Sequence, residues 1–499
     1  MSLLKYKNAI FLLVLLSVST GCKKFLEERS QTLQYVQNSA QLDELLVGEG
    51  YMAHMSSFPS STTNQYLPWL NVMDDDITES VEFKTYPDTR DQVFGMYTWQ
   101  SRPFTNALYA PVMDDTWVRF YKHINATNII SKKASEMADN PAQLKRIRGE
   151  ALFLRAGYYF YMVNIYAKAY NPATAKTDLG VPLKTTEFVE SALSVRASLD
   201  AVYQQIITDL NEAEENLTGV TPTSLYHADV NAVNLLQSRV YLYMQDWEKS
   251  AAAARKVTSR KALLYNLASY QPRTSFFNAK SPEAIFNQGT NAMVYLQYEG
   301  GASTFKPTNE LMNLYSEKDL RKNAFFELDS RGKYRYTKVY YSSYNGIVPE
   351  AYYSDNFFMR NAEAYLNLAE AAAMQGDAAA ANTAINTLRR SRFLAADYQP
   401  VNLTAEALVT FIRDERRREL CFEGHRWFDL KRYAVNPTYP YSRSISHPYS
   451  LAVIGSASLQ ATLTLLPNDA AYLIPIPDPA MEFNQGSLVQ NPTRPNRTF

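Results

Sequence analysis

Groups able to do acid–base chemistry are densest near the C-terminus. There Glu415, Glu419 and Glu423 recur every four residues, with Arg418, Arg426, Asp429 and Arg432 beside them. On a helix that spacing puts the three carboxylates on one face. Catalysis would need one specific pair whose surroundings push their proton affinities apart. Here the signs balance residue by residue, which suits a semi-buried ion-pair network fixing the last helices. His425 follows Gly424 at an expected helix break and reads as a packed, hydrogen-bonded histidine. The other histidines, His54, His123, His227 and His447, are scattered. There is no H-E-x-x-H, no paired C-x-x-C and no phosphate-binding glycine loop, so no metal and no cofactor is expected. Asp74-Asp75-Asp76 with Glu79 offers oxygens for a hard cation but lacks the glycine and spacing of a calcium loop. An acidic turn, solvated or facing a ligand, is the expectation.

Residue types that hold saccharides are better represented. Aromatic rings stack on sugar C–H faces, and Asp, Asn and Arg bond the hydroxyls. The chain carries 36 Tyr, 24 Phe and 5 Trp. A loop around residues 66–109 holds Trp69, Asn71, Asp74, Asp75, Arg90, Tyr97, Trp99 and Arg102. As a group it is expected to form a ligand face, with Trp69, Asp75, Tyr97, Trp99 and Arg102 as contacts. A second set is Tyr295, Tyr298 and Phe305 beside Gly300-Gly301, and a third is Tyr340, Tyr341 and Tyr344. Tyr298 and Tyr344 are the contacts expected from these. Any one aromatic taken alone is better explained as core.

These loops need a scaffold, and helical periodicity supplies one. Ser198 can cap a helix with Leu199, Val202, Ile206, Leu210, Ala213 and Leu217 on one face. Asp229 can cap a second, whose partner follows the turn Gln245-Asp246-Trp247. A third pair carries Phe358, Ala362, Leu366 and Ala369, breaks at Gly376-Asp377, and continues with Ala381, Ile385 and Leu388. Further helices are expected near 117–136, 142–169 and 405–423. Small residues alternating with aromatics at the contacts look like tetratricopeptide units. The pairs are separated by long insertions near 51–109, 171–194, 265–356 and 436–473, with short strands expected near 284–297 and 333–341. Connections that long usually carry function. The fold expected is mainly α: a tetratricopeptide-like scaffold with long irregular loops and a few short strands.

The first 21 residues read as a signal peptide. Lys5 and Lys7 precede the apolar run Ala9–Val18, too short to span a bilayer, and Ser19-Thr20-Gly21 leads into Cys22. This is a lipoprotein site, with Cys22 lipidated and the mature chain anchored to a membrane. Cys421 is then left alone, a small buried hydrophobe. The chain balances 50 basic against 50 acidic residues. That neutrality argues against nucleic acid, whose binders carry a basic footprint.

The run Arg416-Arg417-Arg418-Glu419-Leu420-Cys421-Phe422-Glu423-Gly424-His425-Arg426-Trp427-Phe428-Asp429-Leu430-Lys431-Arg432 resembles the ERRREL-x-FEGHRWFDLKR segment of the SusD/RagB lipoproteins. Gly21-Cys22-Lys23-Lys24-Phe25-Leu26-Glu27 is similar to that family's lipidated start. Tyr472-Leu473-Ile474-Pro475-Ile476-Pro477 with Gln490-Asn491-Pro492 resembles its close. The resemblance runs from Cys22 to about Asn491. It implies a single SusD-like domain over 22–499, with an N-terminal part to about 220 and a C-terminal part from about 270. It implies a non-enzymatic lipoprotein of the outer membrane, exposed at the cell surface, that captures oligosaccharide or peptide for a SusC/RagA-like TonB-dependent transporter. Two other functions stay open: a tetratricopeptide adaptor binding only protein, and a glycan hydrolase with paired carboxylates in an aromatic groove.

Overall fold

A computed structural model describes residues 36–53, 65–79, 87–188, 190, 192–297, 305–329, 331–340, 353–451 and 459–498. The chain is mainly helical. The principal helices are α1 (Ser39–Leu45), α2 (Pro87–Tyr97), α3 (Thr116–Glu136), α4 (Pro141–Tyr166), α5 (Leu199–Leu217), α6 (Val230–Tyr243) and α7 (Trp247–Arg260). They continue with α8 (Asn361–Met374), α9 (Ala378–Arg390), α10 (Ala405–Leu420) and α11 (Arg426–Ala434). Helix α4 packs between α3 and α5, α6 against α7, and α8 against α7, α9 and α10.

The expected caps are in place. Ser198 Oγ accepts from Ala201 N at 3.1 Å, Asp229 Oδ1 from Asn231 N and Ala232 N at 2.9 Å, and Asp377 Oδ1 from Ala380 N at 2.9 Å. Each satisfies a backbone donor that the first helical turn leaves unpaired. Gly376 turns the chain from α8 to α9 at φ +79°, a conformation open to glycine. Helix α4 is buried on almost every side from Gly149 to Tyr166, so it has no polar stripe and lies at the centre of the main core. A smaller second core, with Ala362, Leu366, Ile385, Leu388, Leu408 and Ile412, joins α8, α9 and α10.

Eight short strands pair antiparallel by twos among the described residues: β1 (Ile77–Glu79) with β3 (Phe305–Pro307), β2 (Ala284–Phe286) with β6 (Met359–Arg360), β4 (Phe326–Leu328) with β5 (Tyr334–Tyr336), and β7 (Ile445–Leu451) with β8 (Leu459–Leu465). Three elements differ from the sequence reading. Helix α2 and the β7–β8 hairpin stand in segments read as irregular. Of the 284–297 segment only Ala284–Phe286 is strand, while Met293–Gln297 is a helical turn. Helix α2 carries Val93, Phe94, Met96 and Tyr97 crowded near its C-terminal end, too compressed a pattern for periodicity to reveal.

A buried ion network and the tyrosine cleft it supports

The charges on α10 and α11 form a network closed to water. Glu419 accepts from Arg321 at 3.0 Å, Arg360 at 2.6 Å and Arg392 at 2.7 Å. Arg360 also reaches Glu283 at 3.0 Å and Glu423 at 2.7 Å, and Arg392 reaches Glu283 at 3.0 Å. Lys338 joins Glu423 at 2.5 Å. On the other flank Arg416 meets Asp429 at 2.8 Å, and Arg432 meets Glu370 at 2.5 Å and Asp429 at 2.7 Å. Burial by itself would raise the Glu419 carboxyl, but Arg392 and Arg360 hold it well below the usual carboxylate range. The sequence reading of an ion-pair network holds, and the network is deeper than semi-buried.

The acidic turn is part of the same structure. Asp75 receives Arg426 through two bonds, of 2.6 and 2.8 Å, and is approached by Arg417 at 3.3 Å and Arg443 at 3.2 Å. Asp76 receives Arg417 at 2.5 Å. Burial opposes ionisation of Asp75, but Arg426 and Arg417 lower its pKa far below the usual value. Asp75 is therefore buried and salt-bridged rather than solvated or turned toward a ligand. It fastens the N-terminal loop to α10 and α11. Gly424 completes this join, with its N–H donating to Asn71 Oδ1 at 3.0 Å and φ at +72°. A Cβ there would lie 3.1 Å from Leu70 Cδ2 and from Asn356 Oδ1. Gly424→Ala is expected to cost about 1–3 kcal/mol, from left-handed backbone strain and that contact. An unmoved urea midpoint would remove this explanation.

The aromatic loop is placed differently from the expectation. Trp69, Tyr97 and Trp99 are all buried. His447 on β7 is sandwiched between two of them, with ring centroids 4.2 Å from Tyr97 and 4.3 Å from Trp99. Its nitrogens lie 2.8 Å from the Tyr97 and Asp74 carbonyl oxygens, and burial pushes its pKa down to about 4. Trp99 Nε1 donates to the Met73 carbonyl at 2.9 Å, and Trp69 Nε1 to Asp114 at 3.0 Å. Tyr97 and Trp99, closed off from solvent and stacked on His447, serve the core, while Trp69 lines a narrow pocket with Phe104, Asp114 and Arg119. Arg102 is exposed. Tyr298 and Tyr344 lie outside the described residues, as does Cys22.

An open aromatic site lies instead in the 265–356 insertion. A cleft of about 260 Å³ has Tyr265 and Tyr353 in its lining, with Ser275, Asn278 and Lys280 as the main polar groups. Both rings are half-buried and each is backed by another. Tyr265 stacks on Phe276 at 5.8 Å with an interplanar angle of 6°, and Tyr353 on Tyr226 at 6.1 Å and 6°. Asn278 is oriented by donating to the Ser275 carbonyl at 2.9 Å and accepting from Lys280 N at 2.9 Å. The Lys280 ammonium is exposed and has no partner among the described residues. Tyr340 and Tyr353 bracket the segment that carries Tyr341 and Tyr344.

The ion network reaches this cleft directly. Arg392 donates to the Tyr265 carbonyl at 2.7 Å, and the Tyr265 N–H donates to Glu283 at 3.3 Å. The Arg360 guanidinium lies 5.3 Å from the centre of the Phe276 ring, which backs Tyr265. On the other wall Asn291 donates to the Tyr353 carbonyl at 3.0 Å. Sequence reasoning reached the insertion but not Tyr265, Asn278, Lys280 and Tyr353. Nothing local separates these from the other tyrosines. The available signal was proximity in sequence to the Tyr340–Tyr344 set and the length of the insertion.

Helix pairs, a loop-built aromatic cleft and a buried charged network joined to it are the main parts of this mainly helical fold, which is SusD-like. A SusD family model matches residues 327–493, and a second model, described as starch-binding and associating with the outer membrane, matches residues 24–242. This chain belongs to the SusD family. The SusD-like protein P38 of Formosa agariphila is 24% identical in an alignment that covers 70% of this chain and 76% of that protein. A solved structure of a putative sugar binding protein from Bacteroides vulgatus superposes with a TM-score of 0.70 at 21% identity, covering 92% of this chain and 99% of that one. A laminarin-binding SusD-like protein superposes with a TM-score of 0.62 at 19% identity, covering 92% and 100%. At these identities the superpositions establish the shared fold.

Proposed function

We propose that this protein is a non-enzymatic, surface-exposed lipoprotein that captures a glycan in the tyrosine cleft. It passes the glycan to a SusC/RagA-like TonB-dependent transporter in the outer membrane. The observation that carries this reading is the pair of half-buried tyrosines on the cleft walls, each braced by a second ring. A braced ring loses little freedom when a sugar stacks on it, so the stacking energy is not spent on ordering. Lys280 and Asn278 supply hydrogen bonds at the edge. No Asp or Glu is among the described residues that line the cleft. Family membership, a family description that associates it with the outer membrane, and the sugar- and laminarin-binding names of similar structures agree with this reading.

No described helix is long and apolar enough to cross a membrane. Attachment is assigned to lipid on Cys22. One acyl chain binds a membrane only marginally, so stable attachment needs further chains or the transporter itself. The tether raises the protein's effective concentration at the channel mouth.

The test is calorimetry of residues 23–499 against a panel of oligosaccharides and peptides. Tyr353→Ala is expected to weaken the glycan hit at least about tenfold, the loss typical of a central aromatic anchor. A peptide hit alone would replace the ligand class. Release of shortened glycan by the purified protein would replace binding with hydrolysis.

A further inference from the structure

A second, larger cavity lies away from the tyrosine cleft. Its volume is about 480 Å³, within the range of small-molecule sites. It opens between the segment after α4, helix α11, and the turn that precedes the Tyr472–Pro477 motif. Tyr472 forms an aromatic wall. One face of its ring stacks on buried Trp427, with centroids 4.9 Å apart at 21°. Tyr472 is among the residues that line the cavity, and Trp427 is not. Leu430, Val435 and Leu473 continue the apolar surface.

The polar rim is ordered before any ligand arrives. Asp178 receives Lys168 at 2.7 Å and Thr174 Oγ1 at 2.6 Å. Asp469 receives Arg497 at 2.5 Å and Ala471 N at 2.8 Å. Arg443 is paired with Glu310 and Asp75. Lys431 donates to the Asn164 and Ala167 carbonyls at 2.6 and 2.9 Å, at the end of α4. Each rim carboxylate, and both Lys168 and Arg443, thus already has an opposite charge. Lys431, by contrast, has only the two carbonyls among the described residues. A neutral ligand with many hydroxyls needs none of the pairs broken: carboxylate lone pairs left over can accept, and ammonium protons left over can donate.

We infer that this cavity is a second saccharide site, which seats one neutral sugar ring against Tyr472, on the side away from Trp427, with its hydroxyls on the Asp178–Lys168 pair. Its lining shares no residue with the tyrosine cleft, so it can hold another part of a long chain, or a second chain, without involving Tyr265 or Tyr353. The choice of a sugar rests on the glycan reading above, while the site itself does not.

Saturation-transfer NMR on residues 23–499 with maltose and laminaribiose, each at millimolar concentration, tests this. Tyr472→Ala and Asp178→Asn are each expected to weaken one component of the signal at least tenfold, and Tyr353→Ala to leave that component intact. Asp178 is at the rim, so its variant keeps the test alive should Tyr472→Ala not fold. Loss with Tyr353→Ala alone would overturn the second site and leave the first standing. Loss with Tyr472→Ala and Asp178→Asn alone would do the reverse. No disaccharide signal from the wild type, or saturable binding of blocked tetrapeptides sensitive to Tyr472→Ala, would overturn the saccharide assignment of this cavity.

Discussion

Glu419→Gln is expected to destabilise the protein by about 3–5 kcal/mol at neutral pH, the cost of breaking a buried pair by removing one partner. The substitution keeps the shape and removes the charge that three guanidiniums share. Arg321 retains Asp319 and Glu415, Arg360 retains Glu283 and Glu423, and Arg392 retains Glu283. The positive charges then exceed what those carboxylates can balance out of water. Urea titration of both proteins measures the difference, provided the slope with denaturant is unchanged. The exposed pair Lys132–Glu136, 3.1 Å apart and about half accessible, is the control, and Glu136→Gln is expected to change stability by less than about 1 kcal/mol. Equal shifts for the two variants would mean that the network contributes no more than surface charge.

The pH dependence carries its own sign. The Glu419 carboxyl is held well below its unfolded value, so its contribution is fully present above that value, about 4.3. It is lost as pH falls toward the folded value, because the unfolded state binds the proton more readily. The stability gap between wild type and Glu419→Gln is therefore expected to be constant near neutrality and to narrow below about pH 4–5. A gap that widens in acid would contradict the direction of the shift. Because Arg392 and Glu283 both hold the Tyr265 main chain, the variant is also expected to weaken glycan binding in the cleft.

Trp99→Ala is expected to cost about 3–5 kcal/mol of stability, as for other large-to-small changes in a core. It removes one slice of the Tyr97–His447–Trp99 stack and the hydrogen bond to Met73. The β7–β8 hairpin would lose one of its aromatic contacts and keep those of His447 with Tyr97 and of Tyr449 with Phe94. Glycan affinity measured on the folded fraction is expected to stay within about threefold of wild type, because the ring reaches no solvent-open cavity. Tyr353→Ala is expected to behave in the opposite way, with affinity falling and stability little changed. A stable Trp99→Ala protein that no longer binds glycan would move the ligand face back to the N-terminal loop.

The two tryptophan and tyrosine sets show where sequence reasoning reached its limit. Both are aromatic residues in long insertions, with acidic and amide neighbours. Their difference lies in what covers them. His447, which fills the space between Tyr97 and Trp99, comes from a strand 350 residues beyond Tyr97. Nothing near Tyr97 announces that partner. The rings of Tyr265 and Tyr353 are half-buried, stacked on Phe276 and Tyr226, which the fold brings to them.

Short-range features were legible from the sequence alone. Helix caps, paired helix faces and the break at Gly424 depend on neighbours a few residues away, so spacing reveals them. The alternation of charges on α10 and α11 likewise announced an ion network, and the contiguous run to Arg432 pointed to the family. Tertiary structure alone decided which aromatics are walls of a cleft and which are core. It also decided that Asp75 is clamped by Arg426, 351 residues away, rather than open to a ligand. Exposure and salt-bridge partners are properties of packing between distant segments, and local pattern carries no record of which segments will meet.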